Sequence, residues 1–355
     1  MYSIDEILNM KEPYELFEGN LIQAKEKRNQ LLKLFHPDIS SKDMRRKEVV
    51  VVIQELYEKA VKQLMEGSWS APGYIRWKGK EGKVHEMNYK RKYSFELGEM
   101  FFGNNVVLYA LEEEQTEFAQ NYLCARRKIQ FVNDEMKTEF DKYLPNIITN
   151  FTSQNNKHCI VVRKQSDLYC LKEILWYYGG CLNAESIAWI LSSLYNIICL
   201  LAYNNMTHNG IAIENYFISP EKHYGALLGG WWYGREEKQR MLGVSEEIYK
   251  IMPYAMQGNK LSNIQLDLES VRRIGRQLAG DETGISLVDK TGIPEPMVRW
   301  LRGTAGENPW EEYEEWEQVL TTSFGARRFV SMEFTPLEFE RKAGGMENGI
   351  WKMDK

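Results

Sequence analysis

Two short stretches of this chain hold residue types that do chemistry. The first, LLKLFHPDIS (31–40), sets His36, Pro37 and Asp38 directly after an apolar and basic run. Pro37 fixes its own φ and stiffens a loop tip, and Asp38 offers a carboxylate acceptor to a partner's arginine. The second, THNGIAIENYFIS (207–219), holds His208, Glu214 and Asn215, with glycine at 210. A glutamate can bind Mg²⁺ as an aspartate does, yet no aspartate occurs between Asp167 and Asp267. The five histidines are scattered and the five cysteines (Cys124, Cys159, Cys170, Cys181, Cys199) form no CxxC pair. Buried free thiols in a reducing compartment are therefore expected, with no metal site and no cofactor.

The elements that position these residues follow from pattern. The 355 residues suffice for two domains, or for one large domain with an appendage. A net charge of −5 gives no global field toward nucleic acid or a membrane surface. The opening MYSIDEILNMKEP lacks a basic region before a long apolar stretch, so a cytoplasmic chain without a signal peptide is expected. Ser186 to Ile213 contains no Asp, Glu, Lys or Arg and is long enough to span a bilayer. Interruption by Ser192, Ser193, Asn196, Asn204 and Asn205, without flanking basic clusters, favours a helix buried in a large domain.

Before the HPD turn, Leu21, Ala24, Leu31, Leu32 and Phe35 recur at helical spacing, with Lys25, Lys27, Arg28 and Lys33 on the opposite face. After it, Val49, Val52, Ile53, Leu56, Tyr57, Ala60 and Leu64 line a second helix. Two such stripes predict an antiparallel hairpin, and SIDEILNM supplies a short helix to pack across it. This arrangement resembles a J domain, the co-chaperone module that activates DnaK-type heat-shock ATPases, over residues 1 to 67. The resemblance implies that His36, Pro37 and Asp38 form the signalling loop. It also implies that Lys25, Lys27 and Arg28 dock on an acidic chaperone surface. Ile39-Ser40 after the Asp departs from the family's Lys-Asn.

Residues 68–88 are expected as a basic linker. Across 71–92, seven Lys/Arg face two Glu, with Tyr74, Trp77 and Tyr89 interleaved. That mixture also suits single-stranded nucleic acid, or the first strands of the next domain. From 89 to 335, β-rich runs (YSFELGEMFFG, NNVVLYALEE, KHCIVVRKQ) precede long helical patterns (ESIAWILSSLYNIICLLAYN, NIQLDLESVRRIGRQLAG). A β-rich lobe followed by a helical one, with His208 and Asn215 at the H-R-D-L-x-x-x-N spacing, resembles a protein kinase. The expected class is α+β multidomain: a small all-α module, then a two-lobed kinase-like fold, then a mobile tail at 336–355.

The departures from the kinase pattern shape the expected function. Gly210 stands at the catalytic aspartate and Ala212 at the loop lysine, and Gly229-Gly230-Trp231 replaces D-F-G. Lys128 with Glu135 or Glu139 is the nearest match to the strand-lysine pair. Phosphoryl transfer on this fold needs carboxylates for the hydroxyl proton and for Mg²⁺, so the resemblance is to a pseudokinase. Trp231, Trp232 and Tyr233 are expected either to fill the cleft or to form a binding surface. Asp267 resembles the aspartate that ties down the catalytic-loop backbone. The whole reads as a co-chaperone whose kinase-like domain binds a client, with a DnaK-type ATPase as partner and with neither nucleic acid nor membrane. The alternatives are an atypical transferase using Glu214 and a nucleic-acid-associated protein using 76–92.

Overall fold

The structure, a computed structural model, describes residues 2–17, 19–36, 45–66, 69–71, 73–289, 292–326 and 329–343. Helix α1 (Ile4–Asn9) opens on a capping box in which Ser3 Oγ accepts from the Glu6 N–H and the Glu6 carboxylate accepts from the Ser3 N–H. Asn20 caps α2 (Leu21–Leu34), and α3 (Arg45–Met65) follows. Arg46 donates to the Leu34 carbonyl at one end, while Arg28 lies over the Tyr57 ring farther along. The two helices therefore run antiparallel. Ala24, Leu31 and Phe35 bury against Val49, Ile53, Leu56 and Ala60, with Ile7 of α1 sealing the cluster.

The segment expected as a linker is mostly sheet. Strands β1 (Ser70–Ala71), β2 (Tyr74–Lys78) and β3 (Val84–Asn88) pair antiparallel. Ile75 and Trp77 are buried, whereas Arg76 between them turns outward and pairs with Glu86 at 2.9 Å. The period-two alternation of a half-buried strand was present in YIRWK, hidden by the density of cations.

Strands β4 (Arg91–Phe95), β5 (Gly98–Phe102) and β6 (Val106–Leu111) lead into α4 (Thr116–Lys128) and α5 (Asp134–Phe140). Then β7 (Asn146–Thr152) and β8 (His158–Arg163) complete an antiparallel sheet in the order β4-β5-β6-β8-β7. Alternation on β6 sorts its side chains between two cores. Leu108 and Ala110 join Ile75 and Trp77 on one face. Val107, Tyr109 and Leu111 join the main core on the other.

The lower lobe begins with β9 (Tyr169–Cys170), α6 (Leu171–Tyr177) and α7 (Ala184–Tyr203). Short strands β10 (Met206–Thr207), β11 (Tyr216–Ser219), β12 (Tyr224–Leu227) and β13 (Arg235–Glu236) follow. Helices α8 (Glu246–Tyr249), α9 (Tyr254–Asn259), α10 (Ile264–Leu278), α11 (Glu295–Arg302) and α12 (Pro309–Phe324) complete it. Helix α7 packs against α10, α12 and β12 with most of its side chains buried. Its interior place accounts for the run without charges.

The expected mobile tail is corrected over 336–343, and 344–355 lie outside the described residues. Pro336–Ala343 forms α13, and Phe339 is fully buried against Tyr169 and Tyr177. Glu340 pairs with Lys90 at 2.8 Å and with Arg91 at 3.0 Å. Arg91 also holds Glu173 of α6 at 2.5 Å, so one guanidinium joins the upper sheet, the lower lobe and the last helix.

Candidate functional site

The loop from Thr207 to Asn215 lies between the lobes and hangs on Asp267. This aspartate, fully buried in the first turn of α10, accepts from the His208 N–H at 2.6 Å and the Asn209 N–H at 2.7 Å. Burial pushes its carboxyl up to about 7, with the two N–H bonds pulling the other way. His208 is equally buried, and burial holds its imidazole down to about 3. The ring is therefore neutral, and its Nε2 donates to the Gly229 carbonyl at 3.1 Å. Asn215 donates through Nδ2 to the Gly210 carbonyl, and its own carbonyl accepts from the Leu228 and Gly229 N–H groups. His208, Gly210, Asn215, Gly229 and Trp231 are thus neighbours in the fold.

What surrounds that backbone is closed. A Cβ on Gly210 would stand 2.7 Å from Tyr233 Cδ2, and one on Gly229 would stand 2.5 Å from Asn215 Oδ1. Neither position has room for a carboxylate. Trp231 and Trp232 are buried, so of the two roles expected for the aromatic block the structure selects filling over display. Trp232 stacks on Phe95 at 5.0 Å and on Tyr122 at 5.8 Å, and meets Tyr109 edge-on at 5.3 Å. Asn121 Nδ2 donates to the Trp232 and Gly234 carbonyls, and Tyr122 OH to the Leu228 carbonyl. Tyr233 OH donates to Glu96 in the β4–β5 turn at 2.5 Å. Helix α4 and the upper sheet therefore grip the segment that follows β12.

Two inward positions between the sheet and α4 escaped the sequence reading. On the third strand of the main sheet, where a kinase keeps its lysine, Tyr109 faces inward. Its ring lies 6.0 Å from that of Tyr122 on α4. An aromatic contact therefore joins the inward face of this strand to α4. The signal was the alternation of VVLYAL, which sends Val107, Tyr109 and Leu111 to one face. Lys128 does not pair with Glu135 or Glu139; it reaches Glu236 at 2.6 Å across the surface. The reason is position: Lys128 ends α4, beside β13.

About 210 Å³ of cleft remains, below the roughly 300–1,000 Å³ of small-molecule sites. Its carboxylates are engaged. Glu173 accepts from Arg91 and from Tyr93 OH, each at 2.5 Å. Glu247 pairs with Arg273 and Lys250, and Glu214 lies 3.6 Å from Lys172. Among the described residues no three His, Cys, Asp or Glu cluster as metal ligands. The Mg-nucleotide that a kinase fold implies does not fit these residues.

In the helical module, His36 is exposed at the end of α2; Pro37 and Asp38 lie outside the described residues. Lys25 is exposed, Lys27 sits 5.6 Å over the Tyr2 ring, and Arg28 sits 4.6 Å over Tyr57. The basic face is thus partly committed to local aromatic contacts. Trp77 is buried, and Tyr89 packs on Phe101 at 5.2 Å. Trp77 and Tyr89 are thus engaged within the protein, while Tyr74 is half-buried.

No protein-family profile and no curated protein sequence matches the chain. Among solved structures, that of vaccinia related kinase 3 is similar at a TM-score of 0.51 and 16% identity, covering 73% of this chain and 95% of that one. Strand order, the catalytic-loop backbone and this likeness agree: the chain carries a protein-kinase-like fold.

Proposed function

We propose that the chain is a two-module adaptor. Its kinase-like domain holds a partner protein without transferring phosphate, and its helical module presents His36, Pro37 and Asp38 to a DnaK-type ATPase. The observation that carries the first half is steric. The loop scaffold of Asp267, His208 and Asn215 is intact, while the two glycines at the carboxylate positions are walled in by Tyr233 and Asn215. A fold kept without its chemistry is suited to recognition. The second half is supported by the antiparallel pair α2–α3, with His36 closing the first helix and α1 packed across. Recruitment would then work by proximity: the kinase-like domain holds the client while the loop triggers ATP hydrolysis in the chaperone that clamps it.

The test is stimulation of a DnaK-type ATPase by the full chain. His36→Gln and Asp38→Asn should each abolish it without altering helical content; undiminished stimulation by either variant removes the co-chaperone half. A second reading, a transferase built on Glu214, is favoured by that residue's place on the wall of the remaining cleft beside Lys172. Label transfer from ATP that dies with Glu214→Ala would install it.

A further inference from the structure

A second cavity, of about 480 Å³, lies in the lower lobe between α7, the β11–β12 hairpin and the end of α12. It shares no lining residue with the interlobe cleft, and its size falls within the roughly 300–1,000 Å³ of small-molecule sites. Glu185, Trp189 and Asn196 project into it from one face of α7, as their spacings of four and seven residues require. Tyr143, His223 and Tyr224 stand across from them. Trp189 and His223 stack with ring planes 3° apart and centroids 4.6 Å apart. Phe329 lies on His223 at 4.1 Å.

Charge narrows the occupant. Burial holds the His223 imidazole below its ordinary value, which leaves it neutral near pH 7. Glu185 is then the one lining residue of this cavity charged at that pH, and among the described residues it makes no ion pair or hydrogen bond. An anion would meet that carboxylate unshielded. A bare metal ion would find a single carboxylate, and among the described residues no three His, Cys, Asp or Glu cluster as the ligand set such ions need. An alkylated ammonium suits both features, because aromatic faces attract cations and cover methyl groups together. We propose that this cavity binds an organic cation of the alkylammonium class. Glu185 balances its charge, and Trp189, Tyr143 and Tyr224 receive its methyl or methylene groups.

Choline is the probe, with 3,3-dimethylbutan-1-ol as its uncharged isostere, titrated calorimetrically into the full chain. The same titrations use the Arg327→Gln/Arg328→Gln variant, which removes the guanidinium groups that follow Ala326 of the rim in sequence. Choline should bind saturably to at least one of the two proteins, about tenfold or more tighter than the isostere, a difference of roughly 1.4 kcal/mol or more. Glu185→Gln should bring choline down to the isostere's affinity and leave the isostere unchanged, while Trp189→Leu should weaken both. Three results overturn the proposal: no saturable choline binding to either protein, equal affinity for choline and isostere, or choline affinity indifferent to Glu185→Gln. A trimethyllysine peptide in the same titration separates sources: tighter binding than choline assigns the site to a protein tail, weaker binding to a free small molecule.

Discussion

Two layers of the same loop are built on opposite principles. Beneath it, Asp267 holds the His208 and Asn209 backbone by two hydrogen bonds in a dry interior. Above it, Trp231, Trp232 and Tyr233 hold the backbone after β12 by packing rings against Tyr109, Tyr122 and Phe95. The lower layer matches the order expected of a kinase, and the upper layer fills the space in which kinase chemistry takes place. The difference teaches that loop geometry and reactive groups are separable. The polar layer keeps its residue types because each atom has a defined partner. The aromatic layer needs only volume.

The comparison can be broken from the aromatic side first. Trp232→Ala removes a buried indole shared by both lobes and should cost about 3–5 kcal/mol, read as a lower urea midpoint. A loss under about 1 kcal/mol would mean the rings merely line the cleft. From the polar side, Asp267→Ala should cost roughly 2–5 kcal/mol, since two buried N–H groups lose their acceptor.

A pH series sharpens the second effect. The folded carboxyl of Asp267 titrates near 7, above its ordinary value, so its contribution is complete at low pH and is lost as pH rises from about 4 to 7. Asp267→Asn lacks that loss. The difference in stability between wild type and variant should therefore shift in the variant's favour by about 1.4 kcal/mol per pH unit across that window. A pH-independent difference would place the carboxyl near its usual value.

Smaller effects follow. Gly210→Asp and Gly229→Asp should each destabilise by about 1–3 kcal/mol through overpacking and restore no phosphate transfer, singly or together. Recovered transfer would show that the rings yield. Lys128→Ala should cost less than about 1 kcal/mol, because its pair with Glu236 is solvent-exposed; a larger loss would give Lys128 a role in positioning α4.

Legibility in the sequence divides along the same line. His208, Asn215 and Asp267 stand out because hydrogen-bond geometry fixes both residue type and spacing. The helices of the N-terminal module stand out because each has a solvated face opposite an apolar one. Tyr109 and Tyr122 do not, since an inward tyrosine on a strand or helix reads as ordinary core until its neighbours are known. Helix α4 was missed for a related reason: Ala119, Tyr122 and Ala125 form its buried face, a stripe of small residues and one aromatic. The sheet at 70–88 stands out only as an alternative to a linker, because its outward cations obscure the alternation. Helix α13 was hidden by brevity, because its stability comes from docking Phe339 rather than from its own eight residues.

The shared guanidinium of Arg91 also sets an order in time. Its partner Glu173 lies 82 residues later in the chain, and Glu340 lies 249 residues later. At ribosomal rates of about 5–20 residues per second, Glu173 is made on the order of 4–16 s after Arg91, and Glu340 on the order of 12–50 s after it. For most of that interval the nascent upper sheet has the α6 carboxylate within reach of synthesis and lacks the one on α13. Helix α13 therefore completes an ion-pair network begun by the first strand of the main sheet, and newly made chains pass through a stage in which that strand is only half secured.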